Sequence, residues 1–206
     1  MVIDMKNNNN LNVPQGIGLK SISHLPVAIL ILFNYLTYKL LSNKFHIDEL
    51  VGSTMFGEIV SVINIVTGIA TILVIWLLFS FILYIGVNFL LGKPVLFRDM
   101  LKVVSLSFIP MVIASVIINI ITIFDAPVID LRNITDVTKF QQEIDSSFYK
   151  QITDSVRIIG YVSSTILCWF LIKHFVKVTT WASVIVVYTP ILMFVILFIS
   201  ARLIFS

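Results

Sequence analysis

The sequence predicts an all-α fold, a polytopic bundle of five transmembrane helices with its N-terminus inside and its C-terminus outside the cell. Three observations carry the prediction. Only 12% of the 206 residues are charged and 58% are hydrophobic, with a mean hydropathy of +1.03; a water-soluble domain carries about a quarter charged residues. The apolar stretches are long and unbroken, on the scale of the roughly 20 residues that cross a bilayer core. The bases crowd into two short loops, as the positive-inside rule requires of cytoplasmic turns. An ordinary soluble enzyme is excluded by these observations.

Charges fence the spans. Residues 1–24 open with MVIDMKNNNNLNVPQG, a polar tail too poor in apolar residues to bury a core. Asp4 and the Asn7–Asn10 tract make a poor basic leader, so a cleavable signal is not expected. The remainder, residues 25–206, reads as one transmembrane domain. Lys20 and Lys39 bracket the first span, near 25–42. Glu58 and Lys93 bracket 34 uncharged residues. As a helix this run would reach about 51 Å against a hydrocarbon core of about 30 Å, yet two spans and a turn need more than about 40 residues. One long helix near 63–91 is therefore expected. Lys102 and Asp125 bracket the third span, 103–124. Only 15 residues separate Arg157 from Lys173 in the fourth, 157–176, but long basic side chains snorkel outward on their aliphatic stems and extend it. The fifth occupies 180–203.

Orientation follows from the loops. Lys93, Arg98, Lys102, Lys173 and Lys177 fall in two short connections that share one side of a five-span protein, whereas the 43–58 connection supplies only Lys44. The N-terminus is expected inside. Trp169 and Trp181 then sit at the inner interface, while Trp76 falls mid-span, where its indole N–H needs a partner on another helix.

Two connections hold candidate contact surfaces. Gly92 to Lys102 reads GKPVLFRDMLK, with Gly92 suited to a helix end and Pro94 to the start of the next element. It fits a short helical lead-in lying at the cytoplasmic headgroups, or equally a plain turn with snorkelling charges. Pro94, Phe97, Arg98 and Lys102 are its candidate partner contacts. In the outer segment 125–155, Val137, Phe140, Ile144, Phe148 and Ile152 recur at helical spacing and Thr138-x-x-Gln141 resembles a capping box. An amphipathic extracytoplasmic helix is expected, continuous with the fourth span or separate from it. Phe140, Ile144 and Phe148 would be its docking stripe, if it is more than a solvated cap.

No catalytic, cofactor-binding or metal-ligating constellation is legible. His24, His46 and His174 lie near different membrane edges, Cys168 is the lone cysteine, and no nucleophile elbow or phosphate-binding loop occurs. Nor is there a basic patch for nucleic acid; the formal charge of +3 is what membrane orientation demands. The deep polar residues, Asn34, Asn88, Asn119 and Ser107 among them, are uncharged. Interhelical hydrogen bonding is their expected role, with a polar pathway as the alternative. Pro110 and Pro190 are expected to kink their spans.

The tract from Tyr84 to Ile113, YIGVNFLLGKPVLFRDMLKVVSLSFIPMVI, resembles the Yip-domain (Ypt-interacting-protein) family in its bacterial, five-span form. It shares a helix ending in glycine, a short basic hairpin with an aromatic residue, Phe97, and then a span with Ser107 and Pro110. The close-coupled last pair, turning at Trp169 to Lys177 into TTWASVIVVYTP, extends the likeness over residues 59–204. Departures are His174-Phe175 where members often carry glycine, the long acidic 125–155 segment, and the short N-terminal tail, which argues against small-GTPase partners. The resemblance implies a non-enzymatic integral protein acting through contacts with other membrane proteins, in membrane organisation or complex assembly. The alternative is a transport-related subunit, such as a small permease partner or an exporter or immunity component. Usage rich in Asn, Ile, Lys and Phe suggests an AT-rich bacterial genome, so the expected location of this multi-pass protein is the bacterial cytoplasmic membrane.

Overall fold

The computed structural model describes residues 24–44, 55–126 and 147–205, and every regular element among them is helical. Helix α1 spans Leu25–Lys44. Helix α2 spans Met55–Ile85 and continues as a π-helical turn, Gly86–Leu90. Helices α3 (Phe97–Ser107) and α4 (Ile109–Asp125) follow, then α5 (Phe148–Val176) and α6 (Thr180–Phe205). Among the described residues, four segments are long and apolar enough to cross a membrane: Leu25–Lys44, Val62–Leu90, Phe97–Asp125 and Phe148–Val176. In α6 the described side chains end at Leu192.

The bundle is built on α5. This helix packs along α4, α1 runs beside α4 and α2, and α3 wedges between α2 and α5. The core lies at the end of the bundle that carries the two tight turns. Leu83, Met100, Val104, Cys168, Ile172 and Val187, from α2, α3, α5 and α6, pack there with almost no exposed surface. At the α2–α6 crossing a Cβ on Gly86 would meet Val186 Cγ1 at 3.0 Å. At the α4–α5 crossing a Cβ on Gly160 would lie 2.8 Å from Ala114 Cβ and 2.9 Å from Met111 Sδ. Small residues let membrane helices approach and gain dispersion contacts, the main attraction where lipid supplies no hydrophobic drive.

The third apolar run departs from expectation. Pro110 does not kink a continuous helix; it opens a new one. Proline has no N–H, and its ring crowds the carbonyl four residues back, here that of Leu106. Helix α3 therefore ends in a tighter bond, Phe108 N–H to Ser105 O at 3.1 Å, with Phe108 at φ −80°, ψ −1°. Pro110 then occupies the first turn of α4, where a missing donor costs nothing. Pro190, by contrast, lies inside α6.

Two further differences concern helix ends. Helix α3 is not laid on a surface: Asp99, Met100, Lys102, Val103, Val104, Ser105 and Ser107 are all buried. Its apolar face matches the crevice between α2 and α5, so filling the crevice outweighs lying at headgroups. The helix holding the fourth apolar run starts at Phe148, where the Ser147 side chain accepts from Lys150 N–H at 3.2 Å. Residues 148–155 are thus continuous with α5. Phe140, Ile144 and the Thr138–Gln141 pair lie outside the described residues.

Candidate functional site

The turn between α2 and α3 is held by one side chain. Asn88 donates through Nδ2 to Tyr84 O at 2.9 Å and to Val95 O at 3.4 Å, while its Oδ1 accepts from Val95 N–H at 3.2 Å. The amide thus pairs with the Val95 backbone in both directions. Gly92 takes φ +59°, and Lys93 N–H reaches back to Val87 O at 3.2 Å. Phe97 sets its ring edge-on to Tyr84 and Phe81, with centroids at 5.7 and 6.3 Å. This clamp presents Pro94 and Arg98 outward, with Phe97 half-buried. Lys102 does not share that surface. It is 9% exposed and faces Asp99, itself 3% exposed, across 3.9 Å. Helical periodicity explains the difference, since positions 99 and 102 lie on the face α3 turns inward.

The deep polar residues divide. Asn119 is buried and ties α4 to α1: its Nδ2 lies 2.9 Å from Thr37 Oγ1, 3.2 Å from Phe33 O and 2.8 Å from Ser115 O. Thr122 Oγ1 and Tyr149 Oη, 2.9 Å apart, tie α4 to α5. Ser107 bonds back to Val104 O at 2.7 Å. Trp76 Nε1–H donates to Leu101 O at 3.0 Å, and Trp169 Nε1–H to Ser183 Oγ at 2.9 Å. Both indoles therefore join helices. Asn34 is different: it is exposed midway along α1, beside Gly68 of α2.

Asn34 borders a cavity of about 350 Å³ between α1, α2, α4 and α5. Leu30, Ile72, Phe108 and Ile118 give it apolar walls; Thr37, Tyr38, Ser115, Tyr161 and Arg157 add polar groups. Arg157 was not legible as a site residue, because its charge marks the end of an apolar run. With α5 starting at Phe148, it lies about 14 Å along the helix, half-exposed on the cavity lining. Arg157 donates to Asp154 Oδ1 at 3.2 Å, and the other oxygen of Asp154 accepts from Lys150 at 2.7 Å. Among the described residues no group of histidine, cysteine and carboxylate side chains could hold a metal ion. Cys168 is fully buried.

A helical membrane bundle with a clamped basic hairpin invites comparison with known families. The family model of the Yip1 domain matches residues 21–201. The chain belongs to the Yip1 domain family. The match covers the other helices in full and α6 as far as residue 201, and makes the protein an integral, multi-pass membrane protein of that family. No curated protein and no solved structure matches the chain.

Proposed function

We propose that this Yip1-family protein is a non-enzymatic, five-span protein of the bacterial cytoplasmic membrane that acts through contacts with other membrane proteins, in membrane organisation or complex assembly. Its N-terminus is inside and its C-terminus outside, with α6 as the fifth span. The observation that carries the reading is the clamped hairpin. Asn88, bound to Tyr84 and Val95, holds Pro94 and Arg98 outward in one shape, and a pre-shaped surface loses little entropy on binding. Phe148, 73% exposed at the opposite end of α5 from that turn, is the one described residue of the second candidate stripe read from the sequence, Phe140, Ile144 and Phe148.

Affinity purification in mild detergent tests the reading. Partners recovered with the native chain should be lost from Arg98→Glu and Asn88→Ala and kept by Lys93→Ala. The cavity favours the second reading, a transport-related subunit. Co-purification of an ATPase-bearing permease complex, or solute movement into liposomes holding this chain alone, would decide for it.

A further inference from the structure

We propose that the cavity between α1, α2, α4 and α5 is a site for one anionic phospholipid, an acyl chain lying in the cavity and the phosphate held by Arg157. Its walls and its charge point to the same ligand. Leu30, Ile72, Phe108 and Ile118 suit a hydrocarbon chain, and about 350 Å³ lies at the small end of ligand pockets. Arg157 supplies a cation on the same lining, one helical turn from Tyr161 and its hydroxyl.

The guanidinium has donors to spare. It carries five N–H groups, and among the described residues its hydrogen bond is the single one from Nη1 to Asp154. Asp154 also accepts from Lys150, so the carboxylate is not held by Arg157 alone. Arginine binds phosphate oxygens through paired N–H groups, and its side chain here is 48% exposed, within reach of a headgroup. An arginine inside a spanning helix is costly unless paired or facing a cavity. Charge selects against a zwitterionic lipid, whose headgroup brings its own cation. The apolar walls select against a free phosphate, which would leave them empty.

The test is lipid retention by the detergent-purified full chain, offered equimolar phosphatidylglycerol and phosphatidylcholine and read by native mass spectrometry. The expected result is about a tenfold or larger preference for phosphatidylglycerol, the scale of one charge-assisted hydrogen bond. Arg157→Gln should bring the ratio close to one, and Arg157→Lys should restore part of the preference. Ser115→Phe, which fills the cavity and leaves the charge, should lower retention of both lipids. Melting temperatures of all variants establish that they are folded, and the Arg157→Lys comparison stands even if Arg157→Gln is not. Equal retention of the two lipids by the native chain would overturn the proposal. So would a preference that survives Arg157→Gln, displacement by soluble glycerol phosphate, or a polypeptide found occupying the cavity in place of lipid. None of these outcomes depends on the hairpin or its partners.

Discussion

Asp99 and Lys102 show how a single turn of helix can reverse a residue's role. Both belong to a hairpin that reads as a basic surface, yet both are buried and face each other at 3.9 Å, with no hydrogen-bond partner for Asp99 Oδ1 among the described residues. Breaking a buried pair strands a charge and costs about 3–5 kcal/mol, whereas replacing both members with apolar groups is often neutral. Thermal unfolding in detergent should therefore show Lys102→Met strongly destabilised, and Asp99→Leu added to it should recover most of the loss. The asparagines separate by the same method. Asn119→Leu removes the bonds to Thr37, Phe33 and Ser115, and at about 0.6 kcal/mol per membrane hydrogen bond it should cost roughly 1–2 kcal/mol. Asn34→Leu, on an exposed position, should change stability by less than about 0.5 kcal/mol. Residue type announced that these amides lie in the membrane; only their neighbours tell which of them hold helices together.

At the scale of elements, the α4–α5 crossing is the contact most sensitive to size. Gly160 faces Ala114, whose Cβ is fixed to its own helix and cannot swing away. Gly160→Ala would put two Cβ atoms 2.8 Å apart and push the helices apart, at a cost of about 1–3 kcal/mol. Ala114→Gly in the same chain should return part of that stability, a compensation that circular dichroism melts would register. Nothing in the sequence singles out Gly160, which lies in an apolar run like several other small residues. The turn from α5 to α6 is similar. Lys177 takes the left-handed conformation, φ 53°, ψ 51°, at a helix end where glycine is usual. The family resemblance flagged a missing glycine nearby, but the strained position is Lys177 itself. The length of α2, by contrast, was readable, because 34 uncharged residues are too many for one crossing and too few for two. So was the need of Trp76 for a partner, which Leu101 O supplies.

For the whole molecule, the testable property is which end of the bundle faces the cytoplasm. With Cys168 replaced by serine and single cysteines placed at positions 98 and 148, an impermeant thiol reagent applied from outside should label 148 and spare 98. The opposite pattern would invert the bundle and exchange the sides of its two proposed interaction surfaces. The two positions mark opposite ends: α3 starts at the turn end, and α5 runs from Phe148 toward it.

Composition and the spacing of charges determined that this chain is a helical membrane protein, roughly where its helices run, and which family it resembles. Those properties come from transfer of apolar segments out of water, which is nearly additive along the chain and so can be read one segment at a time. Two features were decided by the tertiary structure alone: the burial of Asp99 and Lys102, and the placing of Arg157 on a cavity wall. Each depends on which helix lies opposite. A charge that ends an apolar run in sequence comes to line a cavity only when its own helix extends past it and its neighbours leave room, and neither condition is written at the residue itself.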